Sequence, residues 1–255
     1  MPPSAWPFLN HPGPLAFAHR GGAGDWPENT LPAFEAAVAL GYRYVETDVH
    51  VTSDGVLLAF HDDQLDRVTD RTGAISEQPW SVVQEARVDG REPIPLLEDL
   101  LGTWPDLRVN IDPKHDGCVD ALVDVIRRTG SIDRVCLGSF SDRRLATLRG
   151  RLGTGLCTSL GPRGLARLRG ASYRLPTGSS AAGCAQVPRE VKGHVLVDER
   201  FVTTAHEQGL QVHVWTIDDP TAMAELLDVG VDGIMTDRPA VLREVLEARG
   251  EWQPG

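Results

Sequence analysis

Short apolar runs with the length of β-strands alternate with longer segments of helical periodicity from residue 15 to the end of the chain. The predicted strands are Leu15–His19, Tyr44–His50, Arg108–Pro113, Arg134–Phe140, Thr154–Leu160, Gly183–Val187, Gln211–Ile217 and Gly233–Thr236. The predicted helices are Leu31–Leu40, Leu96–Gly102, Gly117–Thr129, Asp142–Arg151, Gly161–Gly170, Glu199–Gln208, Thr221–Val229 and Ala240–Arg249. Eight strands that are each followed by a helix predict an α/β fold, a closed parallel (β/α)8 TIM barrel. An open doubly wound sheet is the alternative, but no glycine-rich dinucleotide fingerprint follows the first strand.

One interruption of this alternation predicts a β-hairpin in the second strand region. The turn signal Ser53–Gly55 separates the segments Tyr44–Thr52 and Val56–His61, so the second segment folds back on the first. If the turn centres on position 54, position 47 lies opposite position 61. The histidine that ends the hairpin then lies level with Glu46 and Asp48, which share one face of the strand.

Length and composition fit one large domain or two small ones. We predict a single TIM-barrel domain over residues 1–255, with a short polar insertion at about 63–95 above the barrel mouth. No apolar run reaches the roughly 20 residues of a membrane span, so we expect no stable membrane insertion. The net charge of −11, from 25 basic and 36 acidic residues, disfavours nucleic acid as a partner. The oligomeric state stays open.

The cysteines and the first residues of the chain favour a cytoplasmic enzyme. Cys118, Cys136, Cys157 and Cys184 are scattered and lack the paired spacing of metal ligands, so we expect buried, reduced thiols. The segment Met1–Trp6 lacks the basic start and apolar stretch of a secretory signal.

Carboxylates at predicted strand ends form a candidate metal site. Glu46 and Asp48 are two residues apart on one strand, and Asp112 lies at the end of the next barrel strand. The carboxyl ends of the strands carry the chemistry in such barrels. Three carboxylates that converge there repel one another unless a cation joins them, and Mg²⁺ or Ca²⁺ prefers oxygen ligands. Each carboxylate alone is consistent with an ordinary solvated rim residue, but the set favours a divalent metal.

Other side chains predicted at the same barrel mouth suit cleavage of a phosphate ester. His19 and His61 have the near-neutral pKa range of a proton donor and acceptor. Arg20 offers a planar fork for phosphate oxygens, and Lys114 adds a point charge. Trp215 ends a strand, where it packs either against the carbon skeleton of a substrate or in the core. The leading interpretation from these residues is a metal-dependent phosphodiesterase.

At these residues the chain resembles the glycerophosphodiester phosphodiesterase family. The shared motifs occur in family order over nearly the whole chain. They are His19-Arg20-Gly21-Gly22, Pro27-Glu28-Asn29-Thr30, Glu46-Thr47-Asp48-Val49, Thr52-Ser53-Asp54-Gly55, His61-Asp62, Asn110-Ile111-Asp112-Pro113-Lys114, Trp215-Thr216 and Gly230–Pro239.

The resemblance implies a TIM barrel that hydrolyses small-molecule glycerophosphodiesters to glycerol 3-phosphate and an alcohol, with a divalent metal. The implied roles are acid and base for His19 and His61, phosphate and substrate contacts for Arg20 and Lys114, and metal ligands for Glu46, Asp48 and Asp112. The third ligand position usually holds glutamate in the family, and the aspartate here has a shorter arm.

Two alternatives stay open on the sequence. One is a lysophospholipase D or phospholipase C-like enzyme that uses the same site on a lipid. The other is a metabolite-binding barrel without catalysis, although both histidines and all three carboxylates are present. The alcohol group and the choice of metal also stay open.

Overall fold

The computed structural model of the protein describes residues 5–176, 178 and 180–254. Its strands are β1 Leu15–Ala18, β2 Tyr44–Val51, β3 Leu57–Ala59, β4 Arg87–Val88, β5 Glu92–Pro93, β6 Arg108–Pro113, β7 Val135–Leu137, β8 Cys157–Thr158, β9 Cys184–Pro188, β10 Glu190–Val191, β11 His194–Val195, β12 Gln211–Trp215 and β13 Gly233–Thr236. Its α-helices are α1 Leu31–Ala39, α2 Trp80–Val83, α3 Leu97–Thr103, α4 Cys118–Thr129, α5 Asp142–Leu152, α6 Pro162–Ala171, α7 Glu199–Glu207, α8 Pro220–Val229 and α9 Pro239–Ala248. Residues 1–4 and 255 of the predicted domain, and so most of the segment examined for a secretory signal, lie outside the described residues.

Eight parallel strands form the predicted barrel, in the order β8, β7, β6, β2, β1, β13, β12 and β9. Continuous ladders join these neighbours, whereas β8 and β9 meet at a single bridge between Ser159 and Cys184. At this seam the Gly183 N–H donates to the Thr158 carbonyl at 3.0 Å and the Leu160 N–H to the Cys184 carbonyl at 2.8 Å. The nearly closed barrel confirms the predicted TIM barrel and excludes the open doubly wound sheet.

The predicted hairpin is present with the predicted register. β3 pairs antiparallel with β2, and Val49 lies opposite Ala59, so position 47 lies opposite position 61. The Phe60 N–H donates to the Asp48 carbonyl at 2.9 Å. His61 therefore leaves the hairpin beside the carboxyl end of β2, as the turn signal predicted.

The insertion after the hairpin forms a small apolar cluster of its own. It contains α2, the short β4–β5 pair and a 3₁₀ turn at Ile75–Glu77. Burial of apolar side chains in this cluster stabilises a segment that has few regular hydrogen bonds. Its buried members are Leu58, Phe60, Leu65, Ile75, Val83, Ala86, Val88 and Ile94.

The amino-terminal ends of the strands, which we call the barrel bottom, are closed by a 3₁₀ turn at Pro7–Leu9. Phe8 is buried there against Phe17 and Tyr44, with ring centroids 6.3 and 5.4 Å away. The Tyr44 hydroxyl donates to the Phe8 carbonyl at 2.9 Å, which satisfies two polar groups inside this apolar layer. The opposite end, the barrel mouth, carries the loops that follow the strands.

Side-chain caps fix where several helices begin after these loops. Thr30, Ser141, Asp198 and Asp219 precede α1, α5, α7 and α8, and each accepts a hydrogen bond from the backbone N–H three residues on. None of the helices among the described residues is long and apolar enough to cross a membrane.

Strand lengths differ from the sequence predictions mainly at the seam. The predicted strand Thr154–Leu160 is reduced to Cys157–Thr158, and the predicted Arg134–Phe140 to Val135–Leu137. In the second case a 3₁₀ turn at Ile132–Arg134 occupies the start of the apolar run. Apolar periodicity indicates that a segment is buried, but hydrogen-bond pairing sets its ends.

Candidate active site

All eight candidate residues from the sequence line one cavity of about 290 Å³ at the barrel mouth. Seven of them lie at or just beyond the carboxyl ends of four strands, β1, β2, β6 and β12. The eighth, His61, lies at the end of the hairpin. These residues are His19, Arg20, Glu46, Asp48, His61, Asp112, Lys114 and Trp215. The placement matches the rule that chemistry in such barrels lies at the carboxyl ends of the strands.

His19 is oriented by two carboxylates. Its Nδ1 lies 2.7 Å from Asp237 Oδ1, and its Nε2 lies 3.7 Å from Glu46 Oε2. Burial lowers the pKa of His19, but the nearby carboxylates of Glu46 and Asp237 outweigh this effect, so the pKa is raised. With Nδ1–H donated to Asp237, Nε2 is the nitrogen that can exchange a proton in the cavity.

His61 has a matching carboxylate partner in Asp62. The distance from His61 Nδ1 to Asp62 Oδ1 is 2.5 Å. Arg67 of the insertion holds this carboxylate with Nε and Nη2 at 2.5 and 3.1 Å, and it makes two further contacts, at 2.6 and 2.9 Å, with Glu28. Hydrogen bonds from Arg67 lower the pKa of Asp62 to about 2, so this carboxylate stays charged beside His61.

Arg20 lies in a strained loop between these two histidines. Its φ of 51° is in the left-handed region, and the glycines that follow, Gly21 and Gly22, also have positive φ. A Cβ on Gly21 would lie 2.8 Å from the Ala33 Cβ, so the loop requires glycine there. The Arg20 guanidinium contacts Glu28 through Nη1 at 3.1 Å. Backbone strain of this kind is often found at functional sites.

Glu46 and Asp48 are buried and Asp112 is half-buried, and both aspartates contact Lys114. Asp48 and Asp112 are direct neighbours in the β2–β6 register, and Lys114 Nζ lies 2.5 Å from Asp48 Oδ1 and 3.1 Å from Asp112 Oδ2. Burial, followed by the negative charge of Asp48, raises the pKa of Glu46. Burial also raises the pKa of Asp112, although Lys114 opposes this. The carboxylates of the site therefore carry more negative charge than the cationic side chains Arg20 and Lys114 compensate.

The donor set suits a hard divalent cation in kind, because all three side chains offer carboxylate oxygens. Asp48 Oδ2 is buried and accepts no hydrogen bond, although it lies 3.3 Å from Arg20 Nε. Within the described part of the chain, Glu46, Asp48 and Asp112 do not form a set in which one oxygen from each residue lies within 4.8 Å of both others. The Lys114 ammonium contacts both aspartates, and its contact with Asp48 competes with a cation for that carboxylate.

The other wall of the cavity is apolar. Phe140 is 74% exposed and meets Trp215 edge to face, with ring centroids 6.1 Å apart. Leu160, Pro162 and Leu165 continue this wall along the loops after β7 and β8. Trp215 thus lines the cavity and also packs against the core cluster that contains Phe17 and Met235, so its role in substrate binding stays a prediction.

A family profile described as the glycerophosphoryl diester phosphodiesterase family matches residues 19–241. The chain belongs to this family. The matched range begins at His19 and contains every candidate residue of the site. The fold and the cavity are therefore those of a glycerophosphoryl diester phosphodiesterase family member.

Individual relatives agree with this assignment. The chain is 41% identical to the "Probable glycerophosphodiester phosphodiesterase 2" of Mycobacterium tuberculosis, over 96% of this chain and 95% of that protein. It is 25% identical to a lysophospholipase D of Mus musculus, over 90% of this chain and 85% of that protein. A solved structure from Silicibacter pomeroyi that carries the name of the family superposes with a TM-score of 0.82, at 25% identity, over 98% of this chain and 100% of that one.

Sequence reasoning missed several residues that this family member uses to hold its histidines. Asp237 contacts His19, and its position at the end of a barrel strand was the available signal. Arg67 lies in the insertion and Asp62 just before it, where no periodicity indicates a contact with His61. His50 Nε2 lies 3.0 Å from the His61 carbonyl oxygen, and His50 does not line the main cavity.

Proposed function

We propose that this protein hydrolyses glycerophosphodiesters to glycerol 3-phosphate and an alcohol, with a divalent cation and with His19 and His61 as the acid–base pair. The observation that carries the proposal is the pair of histidines, each with Nδ1 on a carboxylate, in one cavity with Arg20 and three carboxylates. Such a pair serves a reaction in which one oxygen loses a proton while another gains one. Membership of the family supports the substrate class.

The proposed step forms one bond to phosphorus and breaks another. The attacking oxygen, from water or from the glycerol hydroxyl of the substrate, gives its proton to Nε2 of one histidine. The other histidine, protonated at Nε2, gives its proton to the oxygen of the leaving alcohol. Attack by water gives glycerol 3-phosphate directly, whereas attack by the glycerol hydroxyl gives a cyclic phosphate that a second attack, by water and with the histidine roles reversed, opens to glycerol 3-phosphate. Asp237 and Asp62 keep the Nδ1 proton in place and stabilise each imidazolium.

Arg20 and the cation act on the charge of the phosphate. Glu46, Asp48 and Asp112 would hold Mg²⁺ or Ca²⁺, which supplies Lewis-acid stabilisation of phosphate oxygens when bound. The Arg20 guanidinium, fixed on Glu28, presents further N–H donors to the same group. When the cation binds, Lys114 is expected to move from Asp48 to the substrate, because the ammonium and the cation cannot both contact the same carboxylate oxygen.

The apolar wall favours a lysophospholipid as a second candidate substrate. Phe140 and Trp215 present aromatic surface beside the charged half of the cavity, where an acyl chain or its glycerol would lie. The similarity to a lysophospholipase D supports the same candidate.

A hydrolysis screen with Mg²⁺ and Ca²⁺ compared tests both candidates. The substrates are glycerophosphocholine, glycerophosphoethanolamine, glycerophosphoglycerol and a lysophospholipid. Release of glycerol 3-phosphate only with cation supports the first proposal, and preferential cleavage of the lysophospholipid supports the second. Binding of these compounds without turnover under either cation would instead indicate a metabolite-binding barrel.

A further inference from the structure

Three of the four cysteines, scattered in the sequence, meet inside the barrel. Cys136, Cys157 and Cys184 lie on β7, β8 and β9, and all three are buried. Cys136 pairs directly with Cys157 in the strand register, and Cys184 lies at the adjoining seam. The expectation of buried thiols is confirmed, and the fold brings together three cysteines that have no paired spacing in the sequence.

The sulfur positions match those around a single metal ion. The three Sγ atoms lie within 4.8 Å of one another, and Cys136 Sγ lies 3.9 Å from Cys184 Sγ. Zinc bound to sulfur at about 2.3 Å holds two tetrahedral thiolates about 3.8 Å apart. A disulfide requires about 2.05 Å, so this pair is not cross-linked. In the described part of the chain, no other three His, Cys, Asp or Glu side chains bring donor atoms this close together.

The cysteines form a layer directly beneath the catalytic cavity. Two residues further along the same strands, Gly138, Ser159 and Gln186 line the floor of that cavity. Two strand residues span about 6.6 Å, so only one layer of side chains separates the sulfurs from the cavity. That layer contains a glycine and two polar side chains, whereas apolar side chains close the barrel bottom.

We propose that Cys136, Cys157 and Cys184 bind one Zn²⁺ ion, at a site separate from the carboxylates of the barrel mouth. Thiolates are soft ligands that select Zn²⁺ or Cu⁺ over Mg²⁺ or Ca²⁺. Binding releases the three S–H protons to the solvent, and the dication offsets two of the three thiolate charges, whereas Cu⁺ offsets one. Three protein donors leave one position of a tetrahedral zinc for water.

The three sulfurs lie in a fully enclosed part of the barrel, because each cysteine is at most 1% exposed. Phe17 and Met235 pack in the same cluster, and Cys184 also faces the His213 ring and the Thr158 carbonyl oxygen, 3.9 Å from its Sγ. Low polarity around a buried ion strengthens its attraction to thiolate.

The test measures metal content, which does not depend on hydrolysis. The protein is expressed in zinc-supplemented medium, purified under reducing conditions, passed over a desalting column and analysed for zinc and copper by plasma mass spectrometry. We expect about one zinc per chain in the wild type, and about a tenth of this or less in Cys157→Ala and Cys157→Ser. Replacement of zinc by Co²⁺ is expected to give an intense sulfur-to-cobalt charge-transfer band in the wild type.

Cys118→Ala is the matched control, because Cys118 is equally buried but lies outside the cluster. It is expected to keep the zinc and the cobalt band, and Glu46→Ala is expected to keep them as well. If both Cys157 variants misfold, the cobalt spectrum of the wild type decides alone. Zinc-free wild type without a cobalt band overturns the proposal, as does zinc that Glu46→Ala removes, a disulfide found by mass spectrometry, or copper as the retained metal.

Discussion

The mouth and the bottom of the barrel use the same eight strands but are held together by different forces. At the mouth, His19, Arg20 and Asp48 are each fixed by at least one charged partner within 3.7 Å. At the bottom, Phe8 and Phe17 pack in an apolar layer with few polar groups. The mouth thus keeps charges buried at an energetic cost, and the bottom contributes apolar burial that offsets it. Substitutions at the two ends are expected to separate activity from stability.

The carboxylates of the mouth provide the sharpest test of this separation. Asp48→Ala and Glu46→Ala are each expected to lower kcat/KM by more than about 10⁴-fold, because the cation loses a ligand. Asp48→Ala also removes a partner of Arg20 and Lys114, and Glu46→Ala removes a partner of His19. Steady-state hydrolysis of glycerophosphocholine with a Mg²⁺ titration measures this. Circular dichroism checks that the fold is retained. Turnover that persists after exhaustive chelation of the wild type would remove the metal from the mechanism.

The histidines come next. His19→Ala and His61→Ala are each expected to lower kcat by roughly 10²–10⁴-fold, the range of a lost general acid or base. Measurement of kcat for both variants at several pH values shows whether each histidine accounts for one limb of the pH–rate profile. His194→Ala is the control, since His194 is exposed on β11 and does not line the main cavity. A near wild-type rate in either variant would make that histidine structural.

At the bottom, Phe8→Ala is expected to lower the free energy of unfolding by about 3–5 kcal/mol, the usual cost of truncating a buried phenylalanine. Its kcat is expected to stay near the wild-type value at temperatures where it is folded. Urea denaturation measures the stability. Phe140→Ala removes the same ring from an exposed position at the mouth, so it should leave stability nearly unchanged. Equal losses in both variants would contradict the contrast between the two ends.

Asp237 tests whether a carboxylate tunes His19. Because Asp237 raises the pKa of His19, Asp237→Asn lowers that pKa. The limb of the pH–rate profile that reports His19 therefore moves to lower pH, whether the histidine acts as acid or base. We expect a roughly 10–100-fold lower kcat in addition, the loss found when a partner that orients a catalytic or metal-bound histidine is removed. An unshifted profile would mean that Asp237 only packs against the ring.

The smallest expected effect concerns Asp112. Asp112→Asn is expected to weaken the apparent Kd for Mg²⁺, because a neutral oxygen replaces a charged one. Asp112→Glu restores the usual family residue, and its longer arm is expected to give affinity equal to the wild type or a few-fold tighter. Metal titrations of both variants measure this. Unchanged affinity in Asp112→Asn would leave Glu46 and Asp48 as the only carboxylate ligands.

The sequence was sufficient where local rules fix position. The turn at Ser53–Gly55 determines the hairpin register, and that register brings His61 beside Glu46 and Asp48. The alternation of apolar runs with helical segments was enough to predict the eight strands of the barrel. Because side chains at strand ends converge only in such a barrel, the cavity followed from the fold.

Contacts between distant segments were harder to predict. The partnership of Asp237 with His19 depends on barrel closure, which makes β13 the neighbour of β1. Arg67 reaches Glu28 from an insertion whose path no periodicity specifies. The three clustered cysteines share a position in their strands that could have indicated their proximity. Cys136, Cys157 and Cys184 each lie two residues before a residue of the cavity floor.

The single bridge between β8 and β9 makes this seam the place where the barrel opens locally most easily. Among the described residues, two backbone hydrogen bonds join the two strands, whereas β9 and β12 pair over five residues. Local opening is cheapest where the fewest bonds must break, so the amides of Gly183 and Leu160 are expected to exchange with deuterium before those of β2. Each such opening exposes Ser159 of the cavity and the Cys184 thiol in the same event. Solvent therefore reaches the barrel interior first along this seam.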